Sequence, residues 1–315
     1  MSRAELIETT RATLTKAGYE VSSVLGLRSI CFDVVARKDD SLLIIKILSN
    51  VDALSKDNAE EMKVLAEALS ANPLLIGERS SSGALEPGIV YSRFNIPIIS
   101  NETLIDHAVE EVPPLIFAAP GGMYVKLDSE LLKEIRERNH ISLGSLAQIA
   151  GVSRRTIQMY ETGMGAMIDA ALRIEEFLNV PMIIPLNPFE YTPESAAEKY
   201  EVSGKDRTSS VVLNRLIDIG FSITPVAKSP FDALSRAREV IILTGAGEDE
   251  ERLIQRAEIT SEISKLAGKP SVVIVKRDKN IDSIKTTAVI SVNELNKIDE
   301  SDELTELVLA RSTHK

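Results

Sequence analysis

The tract Leu143–Thr162, LGSLAQIAGVSRRTIQMYET, constrains this chain more than any other. Its apolar residues Leu146, Ala150, Val152, Ile157 and Tyr160 recur where two short helices would close a small core between them. Gly151 sits where the first helix must stop and the chain must turn, a place that favours φ > 0 and hence glycine. Ala147, one helical turn earlier, is small enough for a second helix to cross over it. Ser153 falls at the N-cap of that second helix, where its hydroxyl would accept from a backbone N–H two or three residues on. Arg154, Arg155, Gln158, Met159 and Thr162 are left pointing outward.

Those outward residues have a defined chemistry. Arginine can bond guanine O6 and N7 bidentately, glutamine can do the same for adenine N6 and N7, and either can hold a phosphate. The N-terminal end of a recognition helix is where such side chains meet the major groove. From Leu131 to Pro185 the chain resembles the phage-repressor (Cro-like) helix-turn-helix domain, with a first helix LLKEIRERN and a fourth around Ile168–Leu178. The tract GVSRRTIQMYETG fits that family's GVS-x-x-T-I-x-x-x-E-x-G pattern, including Glu161 and Gly163. The resemblance implies a lambda-repressor-like bundle that binds double-stranded DNA with Ser153–Thr162 in the major groove. The residues expected to touch DNA are Ser142, Ser145, Ser153, Arg154, Arg155, Thr156, Gln158, Met159 and Thr162. A helical bundle that only meets other proteins is the alternative; agreement at so many spaced positions favours DNA.

Charge limits how such a domain can bind. The formal net charge is −11, and Asp128–Leu178 holds six Lys/Arg against eight Asp/Glu. Positive charge is local: Arg154 with Arg155, and Lys126, Lys133, Arg136 and Arg138 nearby in sequence. Such a surface predicts weak non-specific binding, a few well-placed contacts, and a homodimer that pairs two recognition helices. A length of 315 residues suggests two or three domains. No apolar run is long enough to span a bilayer, and MSRAELIETTRATLTKAG lacks a signal-peptide core, so no membrane partner and a cytoplasmic location are expected. A single cysteine, Cys31, agrees with a reducing compartment. His107, His140 and His314 are scattered, so neither a metal nor another cofactor is expected.

Residues 1–120 read as an α/β domain. A helix at Arg3–Ala17 stops at Gly18, and strand candidates follow at Tyr19–Val24, Ser29–Arg37 and Leu42–Leu48. Asn58 with Glu61 suggests a capping box for a helix carrying Met62, Leu65, Ala66 and Leu69. Asn72-Pro73 then ends it, the buried run LLIG follows, and a last strand near Ile96–Ser100 leads into a short helix. Pro113, Pro114, Pro120, Gly121 and Gly122 punctuate the passage onward. The order of elements and the tract FDVVARKDDSLLIIKIL resemble the nuclease fold of archaeal Holliday-junction resolvases and restriction enzymes. That likeness puts Asp33 and Lys46 at two catalytic positions, and Glu5 or Glu8 at a first-helix acid. The intervening carboxylate position holds Ile44, which cannot ligate a hard cation. Asp39, Asp40 and Asp52 would have to fold back to replace it. The expectation is a nuclease-like fold with no catalytic residues, in which Asp33 and Lys46 pair at a strand edge.

The helix-turn-helix domain is placed at 126–187, followed by the linker Pro181–Pro193 and a charged stretch, Glu194–Arg207. Residues 192–315 then echo the first domain. Phe231-Asp232-Ala233 echoes Phe32-Asp33-Val34, 199 positions on, and Val240–Leu243 echoes Leu42–Ile45 at nearly the same offset. Gly245 stands where Lys46 was, and Gly245-Ala246-Gly247 runs into an acidic tract that would repel a pyrophosphate. The fold class expected is α/β plus all-α: two nuclease-like α/β domains flanking a helix-turn-helix bundle. With APGGMYVKLDSELL leading into LLKEIRERNHISLGSLAQIAGVSRRT, the whole chain resembles a family of archaeal transcriptional regulators. The resemblance implies sequence-specific regulation of transcription; the alternative is a DNA endonuclease targeted by the helix-turn-helix.

Overall fold

The computed structural model describes residues 2–24, 30–191, 207–247, 250–276 and 281–312. The first third runs α1 (Arg3–Lys16), β1 (Glu20–Val21), β2 (Val34–Lys38), β3 (Ser41–Asn50) and α2 (Lys56–Leu69). It continues through β4 (Asn72–Ser80), β5 (Gly83–Ala84), β6 (Ile89–Arg93), β7 (Ile96–Ser100) and α3 (Asn101–Ala108). The middle holds β8 (Ile116–Ala119), β9 (Gly122–Leu127), α4 (Ser129–Arg138), α5 (Leu143–Ala150) and α6 (Arg154–Tyr160). Next come β10 (Ala166–Met167), α7 (Ile168–Leu178) and β11 (Ile183–Ile184). The last third has α8 (Arg207–Asp218), β12 (Ser222–Pro225), β13 (Ala233–Ala237), β14 (Val240–Ala246) and α9 (Glu250–Ala267). It ends with β15 (Ser271–Val275), β16 (Ser283–Ile284), β17 (Thr287–Ser291), α10 (Val292–Leu295) and α11 (Ser301–Ser312). No described helix is long and apolar enough to cross a membrane. The charged stretch before Arg207, the acidic pair Glu248-Asp249 and His314 lie outside the described residues.

Two compact units divide the chain. One holds Met1–Thr13, Leu48–Asp52 and Leu75–Glu190; the other holds Leu14–Ile47, Ala53–Leu74 and Tyr191–Lys315. In the first, β4 pairs parallel with β7, β6 lies antiparallel on β7, and β8 runs parallel to β6. The β8–β9 hairpin extends this pairing into the helical bundle. Pro120-Gly121-Gly122, expected to be mere punctuation, is its turn, with φ of +100° and +147° at the two glycines. β10 and β11 both pair with β9, so the segments before and after α7 are tied to one strand. Val125 and Leu127 of β9 join Leu132, Ile135, Leu146, Ala147, Ala150, Ile157, Tyr160 and Ile174 in a single buried cluster. The bundle therefore rests on a strand, and truncating a core leucine such as Leu146 should cost about 2–5 kcal/mol.

In the second unit, β1, β2 and β3 form an antiparallel ladder, with Val34 opposite Ile45. A separate sheet runs β12-β13-β14-β15-β17-β16. Its sequence of events repeats the start of the chain: an antiparallel hairpin, a helix, then a strand parallel to a later strand that carries an antiparallel neighbour. Backbone detail repeats too. The Asp33 N–H donates to the Ile45 carbonyl and the Asp232 N–H to the Thr244 carbonyl, each at 2.8 Å and 199 positions apart.

One local reading is corrected. The helix α2 is capped by Ser55, whose hydroxyl accepts from the Asn58 N–H, so Asn58 and Glu61 form no capping box. Asn58 loses because helix-compatible residues extend one turn further back, to a serine that can cap. Glu61 is left with its carboxylate for other donors.

A buried ion pair ties α4 to the end of α6. Arg136 Nε and Nη2 grip the Glu161 carboxylate bidentately, the second contact at 3.1 Å, with side-chain exposures of 12% and 8%. Removing one partner strands the other charge in a poorly solvated site. Glu161→Ala should therefore lower the protection of α5 and α6 amides in native-state hydrogen exchange by roughly 3 kcal/mol. A loss under about 0.5 kcal/mol would mean that water screens the pair as it does a surface bridge.

Candidate nucleic-acid interface

The helix-turn-helix forms as its residues predict. Ser142 caps α5 by accepting from the Ser145 N–H at 3.0 Å, and Gly151 ends that helix at φ +72°. Ser153 caps α6 by accepting from the Thr156 N–H at 3.1 Å. Ala147, Ile157 and Tyr160 are buried between the helices, and Val152 is partly buried against them. The cap at Ser153 supplies the start of a helix only 7 residues long, too short to be stable without the packing beneath it.

The expected DNA-facing residues separate into two groups. Ser142, Ser145, Ser153 and Thr156 spend their hydroxyls on the caps, with Ser142–Ser145 and Ser153–Thr156 oxygen pairs each at 2.8 Å. The Thr162 hydroxyl donates back to the Met159 carbonyl. Arg154, Arg155, Gln158 and Met159 instead project from α6, all exposed, and make no side-chain hydrogen bond within the described residues. Met159, next to the last residue of α6, exposes 40% of its surface. An apolar side chain there suits a thymine methyl group.

Sequence reasoning missed two neighbours. Gly144 faces the Arg154 guanidinium so closely that a Cβ on it would lie 2.8 Å from Arg154 Nε. The Arg173 guanidinium, from α7, lies beside Gly151, where a Cβ would meet its Nη1 at 2.7 Å. Only the fold brings Arg173 to the turn. The local basic group is also smaller than its sequence suggests, since Arg136 is consumed by Glu161 and Arg138 pairs with Glu134 at 3.6 Å.

The nuclease-like positions have a different fate. Asp33 and Lys46 pair at 3.4 Å, but buried rather than at a strand edge, with 6% and 8% of each residue exposed. The other Asp33 oxygen accepts from the Ile47 N–H at 2.8 Å, and Lys46 Nζ donates to the Ile30 carbonyl at 2.8 Å. Ile44, two residues before Lys46 and so on its face of β3, is 1% exposed. Burial pushes the neighbouring Cys31 thiol well above its ordinary pKa, with Glu61 adding to the effect. Asp39 and Asp40 stay exposed in the β2–β3 turn, and Asp52 binds the Ser81 N–H and Arg93. Glu5 accepts from the Ser2 N–H, and Glu8 pairs with Arg11. No group of three potential metal ligands occurs among the described residues. Ile44 offers no second carboxylate beside Asp33, and each Asp33 oxygen already accepts from a donor, Lys46 or the Ile47 amide, so these side chains are a poor fit for a catalytic cation.

A similar carboxylate, with a different cation, occurs in the last third of the chain. Asp232 accepts from the Ala246 N–H at 2.8 Å, as Asp33 does from Ile47. Gly245 cannot supply Lys46's ammonium; Arg256 reaches over from α9 instead, donating to Asp232 at 2.9 Å and to the Pro230 carbonyl at 2.8 Å. The space beside Gly245 and Arg256 is too small for more than a water molecule.

Comparison with known proteins agrees with both halves of this description. Residues 3–114 match the PD-(D/E)XK superfamily domain, and residues 132–183 match a helix-turn-helix family. A candidate HTH-type transcriptional regulatory protein of Methanocella arvoryzae is 38% identical over all of this chain and 98% of its own length. One from Methanosarcina mazei is 38% identical over the whole of both chains, and one from Archaeoglobus fulgidus 42% identical over 83% of each. With a helix-turn-helix and a PD-(D/E)XK-type domain in one chain, and archaeal relatives matched end to end, the chain belongs to this archaeal family of HTH-type transcriptional regulatory proteins.

Proposed function

We propose that the protein is a cytoplasmic, sequence-specific DNA-binding regulator of transcription that lays α6 in the major groove. The observation that carries this reading is the outer face of α6. Arg154, Arg155, Gln158 and Met159 project from a helix whose start is capped and whose other face is locked into a core. Side chains on a rigid support reach base edges with little further loss of freedom. The chain acts as a homodimer, because an acidic surface with few free cations gains affinity by pairing two such helices. Its modules are 1–120, 126–187 and 192–315, the last a diverged copy of the first.

Alanine substitution separates the roles. Arg155→Ala and Gln158→Ala should each weaken binding to a preferred duplex by roughly 1–3 kcal/mol, with little change on unrelated sequence. An arginine that holds only phosphate should lower affinity on every sequence and flatten the salt dependence. Fluorescence anisotropy at two or more salt concentrations measures both. A folded Arg154→Ala/Arg155→Ala double variant with unchanged affinity would rule α6 out as the reading helix.

The same proposal excludes nuclease chemistry at Asp33 and Lys46. Pure protein incubated with duplex, single-stranded and four-way-junction DNA in Mg²⁺ or Mn²⁺ should leave each intact. Ile44→Glu should not create activity, because Asp33 stays tied to Lys46 and the Ile47 amide. Cleavage lost in both Asp33→Ala and Lys46→Ala would establish the endonuclease reading instead.

A further inference from the structure

We infer that the face carrying Asp33, Lys46 and Cys31 is a docking surface for this chain's own segment Val226–Pro230, clamped there by Glu61. In a nuclease that face would meet a phosphodiester. Here the Cys31 N–H donates to the Lys228 carbonyl at 2.8 Å. Glu61, released from any capping role, accepts from the Ala227 N–H at 3.0 Å, the Lys228 N–H at 2.5 Å and the Ser229 hydroxyl at 3.1 Å. Three donors on one partly buried carboxylate make a stronger hold than neutral hydrogen bonds would.

A second helix glutamate holds the first hairpin's approach. Glu262 of α9 accepts from both the N–H and the hydroxyl of Ser23, at 3.0 and 2.5 Å. Glu61 thus takes donors from the stretch between β12 and β13, and Glu262 takes donors from Ser23, shortly after β1, at positions that do not correspond at the 199-residue offset. Contacts flank it: Arg37 donates to the Leu266 carbonyl at 3.0 Å, and Lys265 pairs with Glu20. An acidic residue facing backbone amides selects a protein segment and repels a phosphate. The occupant of the nuclease-like face is therefore the second copy, and the two copies form a dimer within one chain. This inference is independent of what α6 binds.

Cys31, the sole cysteine and fully buried, reports on the clamp. Full-length protein should react slowly with N-ethylmaleimide, and Glu61→Ala/Glu262→Ala should react about ten-fold faster or more. Hydrogen exchange at the Ala227 and Lys228 amides should rise in parallel, while α5 and α6 amides stay protected and show that the variant is folded. Glu61→Gln, which keeps the shape and loses the charge, should give a smaller rise at the same two amides. Wild-type labelling as fast as a free thiol would overturn the inference, as would faster exchange at 227 and 228 with no change in Cys31 labelling. If the double variant unfolds, unaltered exchange at those amides in Glu61→Gln overturns it.

Discussion

Everything on the outer face of α6 depends on the left-handed turn at Gly151. That residue holds φ +72°, so its N–H closes on the Ala147 carbonyl and the chain can restart as a helix three residues later, at Arg154. A Cβ at this position would meet strain from the backbone and the Arg173 guanidinium together. The same turn fixes which residues of a seven-residue helix are buried. Ile157 and Tyr160 go inward, and Arg154, Arg155, Gln158 and Met159 have nowhere else to point. The Arg136–Glu161 pair then pins the far end of α6 to α4. The outward face of α6 is thus set by a turn and one buried ion pair.

Asp33 and Asp232 are held in similar ways by different cations. Asp33 keeps the strand position of a metal-binding acid, but its oxygens are taken by Lys46 and the Ile47 N–H. Asp232 repeats the arrangement with Arg256, brought from a helix rather than a strand. A carboxylate held away from water must be paired and hydrogen-bonded or it is costly, and both aspartates have a cation at hand. For Asp33 it is a lysine of the neighbouring strand, for Asp232 an arginine of α9. This explains why Gly245 at the lysine position does not leave Asp232 as an isolated charge.

The helix-turn-helix was legible because local rules suffice for it: a serine cap, an αL glycine, a small crossing residue and a 3.6-residue apolar period. The strands at Val34–Lys38, Ser41–Asn50 and Ile96–Ser100 were legible for a similar reason, being runs of β-branched and apolar residues. The β8–β9 hairpin was not, since Pro120-Gly121-Gly122 signals a turn without saying that strands continue on either side. Its role in the bundle core comes from pairings across the chain, Ala166 with Val125 and Ile183 with Leu127. Arg256 and Arg173 were invisible for the same reason, and Glu61 was misread as a capping residue. Each acts on a partner far away in sequence, and no spacing rule reaches that distance.

The central claim is that α6 reads base sequence in duplex DNA. Its most direct test is selection of bound fragments from a pool of random duplexes by the full-length protein. The account predicts enrichment of a short motif with inverted symmetry, its half-sites about one helical turn apart, roughly 10 base pairs. The preferred bases should change when Arg155 or Gln158 is substituted. A pool that stays random after repeated rounds, or a motif indifferent to every substitution on α6, would contradict it.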